Sequence, residues 1–290
     1  MKKTRKYLTL WAIGAAAVLT AATLTAATYA WFTSNRKVET EKVTSRTGTN
    51  NVELQISRTG GAAFSPQKDK DGIYYAPLKG SEELPFAQEL VLMPVSTADL
   101  RTFVCNTMTN NGYAEVFSKT TDESLYYHDT VYLRATGDDT LPEGAKMALY
   151  LDNIEGAPIV GPEGGAILTA ARLGLRFSDG SFKILTLSDV NEGEVNTRPG
   201  GVPLESGQVL TVDAKGKAVP AADPAVPLTD VQIPSDGGGA KQPSVDLTIN
   251  EIYTLDIYFY LEGCDPDCTS DKVGLDQAAL NLAFYGLLAD

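Results

Sequence analysis

IYTLDIYFYLEG, residues 252–263, decides the fold. Tyr253, Leu255, Ile257, Phe259 and Leu261 fall on one face of an extended chain. Ile252, Thr254, Asp256, Tyr258, Tyr260 and Glu262 fall on the other. Alternation of this kind is the signature of a half-buried β-strand, because successive side chains in a strand point to opposite sides of the sheet.

The same period recurs along the chain. Val52, Leu54 and Ile56 share a face in NVELQIS (51–57), and Met147, Leu149 and Leu151 do so in KMALYLD (146–152). In AARLGLRFSDG (170–180), Ala171, Leu173, Leu175 and Phe177 alternate with Arg172, Gly174 and Arg176. Ser178-Asp179-Gly180 then supplies a turn before FKILTL. Leu280, Leu282 and Phe284 alternate with Asn281, Ala283 and Tyr285. Turn residues separate the runs at Lys68–Gly72, Asn110–Gly112 and Gly137–Asp139. No strong helical stripe appears beyond residue 36. Many strands, one polar face on each and long returns predict an all-β chain: a two-sheet sandwich of jelly-roll type, preceded by an N-terminal hydrophobic helix.

That helix is predicted by the first thirty residues. MKKTRK is a basic start, and Tyr7 to Phe32 runs 26 residues without a charge. A removed signal peptide has an apolar core of about 7–15 residues, whereas a spanning helix needs about 20. Length favours a membrane anchor over residues 7–32. Thr-Tyr-Ala at 28–30 is an imperfect small-x-small cleavage site, which places a cut between Ala30 and Trp31. The type IV pilin pattern does not fit, because the first acid, Glu39, lies beyond the apolar run. Either way the chain is exported to the cell surface or the extracellular space.

The charge balance narrows the partners. Removing Lys2, Lys3, Arg5 and Lys6 leaves 20 basic residues against 37 acidic ones. Such a surface excludes nucleic acid, whose phosphates need cationic side chains, and suits a soluble, self-repelling surface protein. With 43% hydrophobic residues the chain has enough apolar surface for a packed core.

Residues 191–243 contain seven of the fifteen prolines and eight glycines, and no aromatic occurs between Phe182 and Tyr253. This is read as a non-core excursion, 191–244, within the one domain that spans 48–290. QVLTV (208–212) and VPLTDVQI (226–233) are candidate edge strands in it, and SDGGGAKQPS (235–244) is a flexible link.

No constellation identifies an enzyme. His128, the single histidine, has no Gly-x-Ser-x-Gly elbow to serve. Asp69-Lys70-Asp71-Gly72 imitates part of a calcium loop, but counting from Gln67 puts Leu78 where the bidentate acid belongs, so a polar turn is the better reading. The most loaded stretch is CDPDCTSD, 264–271. A local disulfide between Cys264 and Cys268, zinc held by the three cysteines and His128, and calcium at Asp265, Asp267 and Asp271 all compete there with a plain acidic turn. The plain turn, with or without the disulfide, is preferred. Cys105 reads as a small buried hydrophobe. No catalytic residue, cofactor or metal ligand is assigned.

Two stretches carry a family resemblance. The basic start, the Ala-rich apolar run and Tyr29-Ala30-Trp31-Phe32-Thr33 resemble the export segments of the TasA/camelysin-like surface proteins of Gram-positive bacteria. IYFYLEGCDPDC, its acidic spacer and Leu280-Asn281-Leu282-Ala283-Phe284 look like the closing strand, loop and strand of those proteins. The resemblance implies processing by the dedicated signal peptidase SipW before Trp31. It also implies an extracellular, non-enzymatic jelly roll. In TasA itself the role is a biofilm-matrix fibre in which one subunit's N-terminal strand completes the next subunit's sheet. Here the matching donor segment is 31–47, and the expected partners are copies of the same chain or other envelope and matrix proteins. The rival expectation is a monomeric binding or adhesion domain tethered through residues 7–32.

Overall fold

Alternation carries most of the chain into strands. The computed structural model describes residues 38–47, 52–59, 64, 67–68, 74–77, 92–108, 115–153, 159–160, 166–187, 204–205, 207–234, 242–268 and 278–289. The apolar run 7–32, the Ala30/Trp31 cleavage point and the turns at 69–72 and 110–112 lie outside them.

In chain order the first strands are β1 (Val38–Thr47), β2 (Val52–Ser57), β3 (Gln67–Lys68), β4 (Tyr74–Pro77), β5 (Pro94–Ser96), β6 (Phe103–Met108) and β7 (Glu115–Thr120). Next come β8 (Tyr127–Gly137), β9 (Lys146–Asn153), β10 (Ile159–Val160), helix α1 (Ala166–Ala170), β11 (Ala171–Phe177) and β12 (Phe182–Thr186). The excursion supplies β13 (Gln208–Val212), β14 (Ala218–Ala222), β15 (Val226–Pro227), helix α2 (Leu228–Val231) and β16 (Gln232–Pro234). The chain closes with β17 (Val245–Thr248), β18 (Ile252–Glu262) and β19 (Ala278–Leu288).

Two large sheets result, so the all-β expectation is met. The first runs β16-β9-β19-β1-β4-β3, with β17 also on β9 and β10 also on β19. In the second, β18 is central. It pairs antiparallel with β11 on one side and with β8 on the other, and its last two residues pair parallel with β5. β12 and β15 extend the β11 side, β2 flanks β8, and β6 and β7 follow β5. β13 and β14 form a separate hairpin.

The inner faces of both sheets contribute to one hydrophobic cluster. Met147, Leu149, Leu151, Leu282 and Phe284 of the first sheet join Leu54, Ile56, Leu133, Leu173, Leu255 and Phe259 of the second. Every alternating face predicted from 51–57, 146–152, 170–180 and 252–263 is buried there. The reason is the strand period itself: one face of each strand removes its apolar area from water, the main favourable term in folding.

Three features differ from expectation. First, the opposite face of β18 is not simply polar and wet. Ile252 is 44% exposed, but Tyr258 and Tyr260 are buried in a second cluster with Val95, Leu100, Phe103, Tyr126 and Ile184. The segment after β5 packs on that outer face, where Leu100 sits directly over Gly174 of β11. A Cβ on Gly174 would stand 2.5 Å from Leu100 Cδ2. Leu100 has φ +52°, a left-handed backbone held by Thr97 Oγ1, which accepts its N–H, and by Arg176, which donates to its carbonyl.

Second, the excursion is partly core. Leu204, Leu210 and Ala218 form a third cluster with Val104 and Cys264, and Val231 joins the main one. Of its predicted edge strands, QVLTV is β13 of the separate hairpin and edges neither large sheet, while VPLTDVQI divides into β15 on β12 of the second sheet, helix α2, and β16 on β9 of the first. The predicted link ends in structure, since Ser244 is buried and its N–H donates to the Leu149 carbonyl at 2.6 Å.

Third, β1 lies inside the first sheet. It runs parallel to β19 along one edge and antiparallel to β4 along the other, all within one chain. Ser45 Oγ also donates to the Leu54 carbonyl, at 2.9 Å.

Candidate functional site

The outer face of β18 changes character along its length. Near its middle Asp256 accepts hydrogen bonds from Thr130 Oγ1 of β8 (2.7 Å) and from Arg176 of β11 through Nη2 (2.7 Å) and Nε (3.2 Å). His128 Nε2 stands 3.5 Å from the same carboxylate, and its ring stacks on Tyr258 at 4.6 Å with an interplanar angle of 5°. Burial disfavours the Asp256 charge, but the donors His128, Arg176 and Thr130 outweigh it and hold the carboxyl well below the usual range. Burial, followed by the charge of Asp256, pushes the Tyr258 phenol up to about 12. Phe103 stacks on Tyr126 at 4.1 Å and meets Tyr260 edge-on at 5.7 Å. His128 is thus used as an aromatic packer beside an ion pair.

At its C-terminal end β18 delivers Glu262 into a buried polar chamber. The chain then turns: Gly263 N–H donates to the Val95 carbonyl (2.6 Å), Asp265 N–H to the Glu262 carbonyl (3.1 Å) and Cys268 N–H to the Asp265 carbonyl (3.0 Å). Asp265 Oδ1 accepts the Asp267 N–H (2.9 Å), which tightens the turn. Its Oδ2 accepts Arg172 Nη2 at 2.7 Å. Both residues are buried, so this is an interior ion pair. Asp223, just past β14, comes within 4.0 Å of the same guanidinium.

Glu262 completes the group. Its Oε1 accepts the Cys264 N–H at 2.9 Å, and its carboxyl is hydrogen-bonded to Ser96 of β5. Ser96 Oγ in turn accepts the Leu210 N–H of β13 (2.8 Å) and the Cys264 thiol (3.4 Å). Burial raises the Glu262 carboxyl to about 7, because Arg172, the Cys264 N–H and Ser96 offset only part of the desolvation. Tyr260, cross-strand partner of Arg172, is fully buried. Its hydroxyl and Arg172 Nε have no hydrogen-bond partner among the described residues. Burial drives the Tyr260 phenol well above its ordinary range.

The turn 264–268 is therefore where the sequence predicted it, but its chemistry is turned inward. Cys264 and Cys268 are both buried and belong to different apolar clusters, Cys264 with Val104 and Leu210, Cys268 with the main core. Cys105 is buried among Phe103 and Tyr126 as a small hydrophobe, and burial raises its thiol. The zinc set does not come together: the three cysteines and His128 lie in separate places, and no group of three potential ligands occurs among the described residues. Asp271 of the calcium set lies outside them, while Asp265 has its two oxygens engaged by Arg172 and Asp267. Arg172, Glu262 and Ser96 escaped the sequence reading. Arg172 sits on the face of β11 expected to be wet, and its one available signal was its register opposite a tyrosine-rich strand.

Among the described residues no helix is long and apolar enough to cross a membrane. No family model, curated protein or solved structure matches this chain.

Proposed function

We propose that this chain is an exported, non-enzymatic structural protein of the cell envelope or biofilm matrix, a jelly-roll subunit that joins copies of itself by strand addition. One observation carries the reading. β1, the strand nearest the export segment, fills the slot between β19 and β4. In this reading the β1 of one copy takes that slot in the next: a sheet without its own β1 presents two rows of open backbone groups, on β19 and β4, that another copy's β1 can satisfy. Two further features support the reading. The start of the chain and the stretch 257–284 resemble TasA/camelysin-like proteins, and the polar clusters described above are spent on internal pairs. In this reading SipW-type cleavage before Trp31 frees the segment that leads into β1.

The rival reading is a membrane-tethered monomeric binding domain, and the same strand favours it in one respect: β1 pairs within its own chain. Two measurements separate the readings. N-terminal sequencing of the secreted protein begins at Trp31 under the first and at Met1 or Lys2 of membrane-bound material under the second. Electron microscopy of the cleaved protein at high concentration shows filaments under the first. Particles that stay monomeric with residues 31–47 intact refute strand addition.

A further inference from the structure

Strand β1 carries little that fixes it along its own axis. Of the ten residues in VETEKVTSRT only Val38 and Val43 are apolar. Register is set chiefly by which side chains must be buried, so a strand this polar is poorly held against slipping. Nor is its ladder continuous. Val38, Glu39 and Thr40 lie opposite Ala278, Ala279 and Leu280, but Val43 lies opposite Leu282, so β1 takes up one extra residue between its two halves. The register of 43–47 is therefore not inherited from 38–40.

One polar contact singles out that register. Ser45 lies opposite Phe284, a core residue, and is itself only 2% exposed. A buried hydroxyl is costly unless it is hydrogen-bonded. Ser45 Oγ donates at 2.9 Å to the Leu54 carbonyl of β2, which belongs to the other sheet. The bond runs between the sheets, not along the ladder.

We propose that Ser45 is the register key of β1: its hydroxyl decides which residues of the strand seat beside β19 and β4, and so which strands the slot accepts.

Ladder hydrogen bonds come from the backbone and are alike in every register. The Ser45 bond is not. A slip of one residue brings Thr44 or Arg46 to the place of Ser45 and reverses the faces of the strand. A slip of two keeps the faces and brings Val43 or Thr47 there. Val43 has no donor and leaves the Leu54 carbonyl without this bond. Thr47 has a hydroxyl, so the slip that carries it to Leu54 is the competing register. A β1 arriving from a second copy carries the same serine and meets the same requirement; that extension rests on the strand-addition reading above.

Disulfide trapping in the full-length chain tests the key. Two cysteines bridge only when their Cα atoms lie within about 7 Å, which direct cross-strand neighbours satisfy and residues two positions off do not. Thr44→Cys with Ala283→Cys reports the register seen here, in which the two residues are opposite. Arg46→Cys with Ala283→Cys reports the register in which Thr47 has replaced Ser45. Peptide mass separates either bridge from the three native cysteines. With Ser45 present the 44/283 bridge is expected to dominate. Ser45→Ala is expected to raise the 46/283 bridge about tenfold, and Ser45→Thr, which keeps the hydroxyl, to leave it low. Ser45→Gly is the second hydroxyl-free variant if Ser45→Ala does not fold. Equal 46/283 yields with and without the hydroxyl overturn the proposal, and so does a dominant 46/283 bridge with Ser45 present. Whether a bridge joins one chain or two bears on strand addition alone. Bridges confined to single chains count against that reading and leave the role of Ser45 intact.

Discussion

At the scale of single residues, the chamber around Arg172 makes the sharpest demands. Removing the guanidinium with Arg172→Leu takes the close cation away from the buried Asp265 carboxylate. A loss of about 3–5 kcal/mol is expected, seen as a lowered midpoint in urea. Tyr260→Phe is expected to act in the other direction. It deletes a buried hydroxyl that has no hydrogen-bond partner and keeps the ring against Phe103, so stability should hold or rise by about 1 kcal/mol. Asp256 governs the acid side. Its carboxyl is held below its ordinary value of 3.8, so its contribution is present above that value and is lost as pH falls further. Thermal melts from pH 5 down to 2 should show a shallower acid decline in Asp256→Asn than in the parent. Equal slopes would mean that the Arg176 and Thr130 contacts add nothing to stability. None of these three roles was legible beforehand. Alternation assigns Arg172 and Tyr260 to the second face of their strands, but it carries no information about what covers that face.

At the scale of elements, the contact between β11 and the segment 97–102 is tight enough to test by one methyl group. Gly174→Ala puts a Cβ into Leu100 and 3.2 Å from Tyr258 Cβ, and Leu100 is pinned by its left-handed backbone and two hydrogen bonds. The substitution should cost about 1–3 kcal/mol by overpacking. Gly180 is different: its φ of +92° serves the turn between β11 and β12, where Asp179 Oδ1 accepts the Ser181 N–H at 2.9 Å. That turn was readable from Ser-Asp-Gly alone, because its geometry is local. The acidic turn after β18 was equally readable as a turn, while the fate of its cysteines was not. With Cys264 and Cys268 directed into different clusters, denaturing alkylation without reductant should add three labels per chain. A single label would report a Cys264–Cys268 bridge and a rearranged turn.

At the scale of the whole molecule, two sheets share one core and the excursion ties their edges together, through β15 on one and β16 on the other. Its many prolines and glycines misled the reading of it as non-core. Composition reports the average character of a segment, whereas Leu204, Leu210 and Val231 are buried singly, between turns. What the sequence by itself determined is the strands at 51–57, 146–152, 170–180 and 252–263 and the apolar face that each of them buries, but not β4 to β8. Both follow from a two-residue period that needs no knowledge of neighbours. Tertiary structure alone decided which strands adjoin, that β1 sits parallel to β19 at the far end of the chain, and that a second layer closes over Tyr258, Tyr260 and Glu262. Those outcomes depend on contacts between residues up to 240 positions apart, such as Val38 and Ala278. There the free energy comes from shared burial, which no single stretch of sequence can express.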